Sequence, residues 1–281
     1  YYYDVENRLI KTIDCLTGVK LETNYTFDAN GNQTSEVTKD FSSGKVLKNR
    51  EIVYDKYNRV IQISENGKVL EKNTYNYEGL RVTKETGNKK VLYIYDGKNV
   101  LLELDSLGNV SARNVFGTKL ISREVTGNLK GFYRYNGHGD VVKIVDKSGK
   151  VLVKYYYDAF GTLKESTGNF DNPYRYSGYI YDEEAKYYYL QSRMYDPLLG
   201  RFIQEDSYRG DEKDPLSLNL YTYCINNPMI YDDQNGHWPS FLSKIGSAIS
   251  NAWNGAKSFP RWSCNSLRCW FNSSMSSSRN W

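Results

Sequence analysis

The chain has 281 residues, a length that admits one large domain or two unequal ones. Charged residues make up an ordinary 25% and aromatics 15%, which excludes a disordered polyelectrolyte, and no run of about 18 to 20 apolar residues offers a membrane-spanning helix. The net charge of +4 is unevenly placed: residues 237–281 carry Lys244, Lys257, Arg261, Arg268 and Arg279 with no acid, so the first 236 residues are nearly neutral and lack the basic footprint of a nucleic-acid binder.

The sequence opens Tyr1-Tyr2-Tyr3-Asp4, with neither a methionine nor a charged-then-apolar leader, so an export signal is expected upstream of residue 1. An aromatic followed by Asp, Glu or Asn then recurs at Tyr3-Asp4, Phe27-Asp28, Tyr54-Asp55, Tyr77-Glu78, Tyr95-Asp96, Tyr135-Asn136, Tyr157-Asp158 and Tyr181-Asp182. The gaps are 24, 27, 23, 18, 40, 22 and 24 residues, and the 40 is close to two periods. Inside the copies, Leu21, Thr23, Tyr25 and Phe27 alternate with Glu22, Asn24 and Thr26, the period of two expected of strands.

Turn chemistry separates these strands, as in Asp28-Ala29-Asn30-Gly31-Asn32, Glu65-Asn66-Gly67-Lys68 and Asp105-Ser106-Leu107-Gly108-Asn109, where Gly or Asn accepts the positive φ of a hairpin turn. None of the six prolines precedes Pro173, which suits unbroken strands. Stacked hairpins bury what one hairpin cannot, so the expected fold is all-β, a long curled antiparallel sheet. The Tyr-Asp pairs read as strand and turn residues, although a row of tyrosines can also stack on sugars, which keeps carbohydrate binding open.

The later sequence is more specific. Tyr155-Tyr156-Tyr157-Asp158-Ala159-Phe160-Gly161 leads to Tyr174-Arg175-Tyr176-Ser177-Gly178 and then to Arg193-Met194-Tyr195-Asp196-Pro197. Gly200-Arg201-Phe202 and Asn226-Asn227-Pro228 follow. With Tyr3-Asp4-Val5-Glu6-Asn7-Arg8-Leu9 and Tyr54-Asp55-Lys56-Tyr57-Asn58-Arg59-Val60, this series resembles the YD-repeat or Rhs family and its repeat-associated core domain. The resemblance implies repeats over 1–154, a core domain over 155–236 and a variable tail over 237–281 that is either a cargo remnant or a pretoxin linker. It further implies polymorphic toxins whose repeats wind into a hollow β shell, closed by the core, around a C-terminal toxin cargo. An immunity protein and a cell-wall glycan are candidate partners, and the setting is secreted or cell-surface, in competition between bacteria.

Many members of that family cut themselves at the core's end with two aspartates, one acting as base and one as acid. The matching positions are Asp206 and Asp233, with the junction at Gly236 and His237. Gln234 stands where the family has proline and His237 where it has leucine, while Glu205 and Ser207 flank Asp206 in place of Arg and Pro. The alternative reading makes both aspartates turn caps.

Composition changes abruptly at this point: all 27 tyrosines lie at or before Tyr231 and all five tryptophans after Gly236. Beyond Pro239, Phe241, Leu242, Ile245, Ala248, Ile249, Ala252, Trp253 and Ala256 recur at helical spacing, which predicts a short amphipathic helix. Cys264 and Cys269 could pair in an exported chain, whereas Cys15 and Cys224 stand apart. With histidine only at 138 and 237, no metal site and no cofactor are expected.

Overall fold

The computed structural model describes residues 1–15, 18–127 and 129–237, with the backbone of 240–241. The expected tail helix and the Cys264/Cys269 pair lie outside these residues. Residues Tyr1–Ser240 form one compact unit.

Sixteen strands make one sheet in chain order. The first eight are β1 (Tyr2–Tyr3), β2 (Leu9–Asp14), β3 (Leu21–Phe27), β4 (Gln33–Asp40), β5 (Val46–Tyr54), β6 (Val60–Glu65), β7 (Lys68–Tyr75) and β8 (Arg81–Thr86). The second eight are β9 (Lys89–Asp96), β10 (Asn99–Leu104), β11 (Val110–Phe116), β12 (Leu120–Val125), β13 (Leu129–Tyr135), β14 (Val141–Val145), β15 (Val151–Tyr157) and β16 (Leu163–Gly168). Strand follows neighbouring strand, so the expectation of stacked antiparallel hairpins holds. A second sheet of β17 (Ile180–Asp182), β18 (Tyr187–Tyr189), β19 (Met194–Asp196) and β20 (Arg201–Phe202) lies in the segment after Phe170.

The repeat turn is built by its aspartate. Asp55 Oδ1 accepts the Tyr57 and Arg59 amides at 2.9 and 3.0 Å, and Oδ2 takes the Arg59 guanidinium at 2.7 Å. Asn58 between them sits at φ 61°, the left-handed region that Asn tolerates best after Gly. Asp4 and Arg8 repeat this turn around Asn7.

The aromatic before the aspartate does a separate job. Tyr54, Tyr75, Tyr95, Tyr135 and Tyr157 donate their hydroxyls to the carbonyls of Gln33, Val60, Arg81, Leu120 and Val141 at 2.7 to 3.1 Å. Each acceptor is the first residue of the preceding strand, beyond the last backbone pair that strand makes with the tyrosine's own strand. The hydroxyl therefore joins successive hairpins where the ladder between them has stopped.

This role revises the repeat register read from sequence. The fourth repeat aromatic is Tyr75, while Tyr77 lies 94% exposed in the turn. Phe116 supplies the copy inside the gap of 40 residues, and there Asn114 Nδ2 donates to the Val100 carbonyl at 2.9 Å. Tyr181-Asp182 belongs to the second sheet, where Asp182 is fully buried rather than in a turn.

The sheet is rolled. At about 4.8 Å per strand a flat sheet of this size would hold its two ends about 70 Å apart. Yet the short hairpin β19–β20 meets both ends: Arg201 Nη2 donates to the Asn7 carbonyl at 2.8 Å, and Tyr195 Oη donates to the Phe160 carbonyl at 2.7 Å. The turns carrying the Tyr-Asp pairs thus converge on the segment 170–237, which fills that end of the wall as a plug.

Apolar contact and buried charge together fix the plug. Ile52, Val60 and Ile63 of the wall pack on Ala185, Tyr187, Tyr189, Met194 and Ile203. Leu120, Tyr133, Ile144 and Val153 pack with Phe170 and Tyr174. Fully burying each Val, Leu, Ile, Phe or Met among them contributes about 1.5–3 kcal/mol. Arg81 grips Asp182 with two nitrogens at 2.6 and 3.0 Å, Arg50 donates to the Ala185 carbonyl, and Arg123 to that of Asp171.

The strap assignment yields a direct check. Tyr75→Phe should lower unfolding free energy by about 1 kcal/mol, the net worth of one such hydrogen bond, whereas Tyr77→Phe should leave it unchanged within about 0.5 kcal/mol. Urea denaturation of the two variants separates them.

Candidate junction site at Gly236 and His237

Three pieces of the plug meet at this site: the turn between β18 and β19, the stretch after β20, and the loop 233–237. Leu190-Gln191-Ser192-Arg193 forms the turn, with Gln191 at φ 65°. Gly236, at φ 75°, faces it so closely that a Cβ there would lie 2.6 Å from Ser192 Oγ and 2.8 Å from the Leu190 carbonyl oxygen. No other residue fits at 236 without displacing backbone.

The loop 233–237 wraps around its own first side chain. Asp233 Oδ1 accepts the amides of Gly236 at 2.8 Å, His237 at 3.1 Å and Asn235 at 3.4 Å. The Asp233 amide donates to Tyr179 Oη at 2.8 Å, and that hydroxyl lies 3.0 Å from Tyr223 Oη in the aromatic core of the plug.

Asp206 and Asp233 are brought together, and Arg193 stands between them. Arg193 Nη2 is 2.6 Å from Asp206 Oδ2 and 3.7 Å from Asp233 Oδ2. Its Nε donates to the Gly236 carbonyl, its Nη1 to that of Leu220, and its guanidinium lies 3.6 Å from the Phe202 ring centroid. Burial brings the guanidinium down to about 10, against the pull of both carboxylates. Burial likewise pushes the Asp233 carboxyl up from its ordinary value, against Arg193 and the three amides.

The two aspartates differ in access. Asp206 lines a cavity of about 520 Å³ together with Ser192, Arg193, Asn235 and His237, whereas Asp233 is only 1% exposed. His237 Nδ1 lies 3.4 Å from Asp206 Oδ1 and 3.5 Å from Ser207 Oγ. Of the extra carboxylates beside the pair, Glu205 is engaged by Arg209 and Asp232 accepts from Gln234 Nε2.

The remaining core-motif residues shape the plug. Tyr174 packs edge-on against Phe116 and Tyr133, and Arg175 pairs with Glu183 beside the Tyr181 ring. Gly178 and Gly200 take positive φ, and a Cβ at Gly200 would meet the Phe160 ring at 2.9 Å. Pro197 offers its carbonyl to Thr162, and Asn227 and buried Pro228 turn the chain toward Tyr231. Sequence reading did not single out Ser192, whose residue type carries no signal, nor His138. Burial alone would lower the His138 imidazole, but the Asp140 carboxylate at 2.7 Å outweighs it and raises it.

A wall of consecutive Tyr-Asp hairpins rolled onto its own C-terminal plug defines a YD-repeat shell. Residues 127–229 match the family model described as Teneurin YD-shell. The chain is 36% identical over 268 residues to the tRNA(Glu)-specific nuclease WapA of Bacillus subtilis subsp. natto, spanning 92% of this chain and 11% of that protein. It is 35% identical over 254 residues to the tRNA nuclease WapA of Bacillus subtilis strain 168, spanning 88% of this chain and 10% of that protein. The chain thus covers about a tenth of the length of these curated relatives. The crystal structure of TcdB2-TccC3-Cdc42 superposes with a TM-score of 0.56 at 17% identity, over 84% of this chain and 15% of that one. The chain belongs to the YD-repeat (Rhs) family.

One core-motif carboxylate predicts a pH effect. Asp196 is enclosed, and burial, helped by Glu36, raises it from 3.8 to about 6. Because the folded value lies above the unfolded one, the protonated form favours the fold. Its contribution is complete below about pH 4 and is lost as pH rises to about 6. Asp196→Asn keeps a carbonyl for the Leu198 and Leu199 amides and should flatten that part of the melting-temperature profile.

Proposed function

We propose that this chain is the closing end of a YD-repeat toxin shell, with repeats over 1–154, core over 155–236 and the tail over 237–281 as a cargo remnant or a pretoxin linker. The observation that carries this reading is the convergence of the first and last turns of a 16-stranded wall on one plug, which ends at the composition boundary. The relatives' names add that such shells occur in tRNA nucleases; the activity of this chain's own cargo is a separate matter. A secreted or cell-surface setting, use against competing bacteria and an immunity protein as partner belong to the same proposal, as does a cell-wall glycan ligand for the tyrosine-rich wall. In the full-length parent, limited proteolysis should leave the segment after His237 protected as long as the wall resists. Rapid loss of that segment from an intact wall would refute encapsulation.

A second reading is favoured by the junction geometry: hydrolysis of the Gly236–His237 peptide by the chain itself. Asp206, on the cavity, takes a proton from water. Asp233, buried against the His237 amide and held toward its protonated form, gives one to the departing nitrogen. Asp206→Asn and Asp233→Asn should each hold the 32.6 kDa chain intact where the native chain is cut, as read by intact mass. Equal masses for all three would refute it.

A further inference from the structure

The carbonyl of the junction peptide has one donor on it, Arg193 Nε, and a second, the single Ser192 hydroxyl it shares with the Asn235 carbonyl, within reach. Ser192 Oγ lies 2.9 Å from the Gly236 oxygen and 2.6 Å from that of Asn235, and Arg193 Nε donates to the Gly236 oxygen. Both side chains come from the turn whose Gln191 holds a left-handed backbone, a conformation that persists only where its surroundings enforce it. The enforcement is visible: the Leu190 amide and carbonyl are hydrogen-bonded to Arg193 and Ser192 within the turn, and the missing Cβ of Gly236 leaves the space the turn occupies. A cavity of about 520 Å³ opens beside these groups and is lined by Ser192, Arg193, Asp206 and the two neighbours of Gly236, Asn235 and His237.

We propose that Ser192 and Arg193 are the electrophilic half of the junction site, the donors that hold the Gly236 oxygen as negative charge builds on it. This role rests on the self-processing reading above. Water adds to the Gly236 carbon and its proton passes to Asp206, while the carbonyl pair moves onto the oxygen between Ser192 Oγ and Arg193 Nε. When that pair returns, the bond from Gly236 carbon to His237 nitrogen breaks and the nitrogen takes a proton from Asp233. The products are a Gly236 carboxylic acid and a His237 amine, with Asp206 left protonated and Asp233 ionised to take up the acid's proton; one water is consumed and no other reactant. Arg193 also ties the two carboxylates to this oxygen, since one guanidinium touches Asp206, faces Asp233 and donates to Gly236. Charged donors fixed in a buried site act without reorganising at the moment of reaction.

The role separates from a structural one by kinetics. The full chain, synthesised in a cell-free system and sampled over time, reports the fraction cut. Ser192→Ala should slow cutting about 10²-fold, the low end for loss of one such donor, with the melting temperature lowered only by the roughly 2–4 °C that one lost hydrogen bond costs and the rate reduced by the same factor from about pH 5 to 8. Ser192→Thr, which keeps a hydroxyl, should recover most of the rate. A native chain that is cut and an Asp233→Asn that is not, beside a Ser192→Ala cut at the native rate, would overturn this role while leaving self-processing in place. A native chain that stays whole as long as Asp206→Asn and Asp233→Asn do would overturn both.

Discussion

Arg81 and Asp182 meet with two hydrogen bonds at a point where neither side chain touches water. One belongs to the wall and the other to the plug, 101 residues later. Lys84 joins from the same strand at 2.7 Å, with Glu71 closing the cluster. Removing one partner of such a pair leaves a buried uncompensated charge, a cost of about 3–5 kcal/mol. The wall therefore admits the plug in one register, and the position of everything downstream of β17 follows from that choice.

That registry decides where the junction lies. Once β17 is fixed, the short strands after it bring the 190–193 turn, Asp206 and the 233–237 loop into one place, and Tyr179 and Tyr223 tie the loop to the aromatic core. His138 and Asp140, on the turn between β13 and β14, hold the other flank: Asp140 accepts the Ser177 amide at 2.9 Å, and His138 Nε2 lies 3.5 Å from the Tyr231 carbonyl. The wall thus supports the site from outside, with residues drawn from repeats far apart in sequence.

The repeat was legible because its physics is local. A turn aspartate folds back on amides two and four residues ahead, so Tyr-Asp spacing marks hairpins whatever the rest of the chain does. Tyr75 and Phe116 were harder to read for the opposite reason. What defines the repeat aromatic is a carbonyl on the neighbouring strand, so Tyr75-Asn76 could not be told from the exposed Tyr77-Glu78 two residues on, and Phe116, followed by Gly117, escapes the dipeptide pattern. Tyr181-Asp182 carries the local pattern without the context, and its carboxylate went to an arginine in the wall instead of a turn.

The amino-acid sequence by itself determined the hairpins, the all-β character, the composition boundary near residue 236 and the pair of aspartates before it, since each is written in neighbouring residues or in a motif. Only the tertiary structure decided that Arg193 stands between those aspartates, that Ser192 reaches the Gly236 carbonyl, and that Asp206 borders a cavity while Asp233 is sealed. These are contacts across 13 to 44 residues, set by how a rolled sheet closes on its plug. Side-chain type carries no record of which partner a fold will deliver at that range.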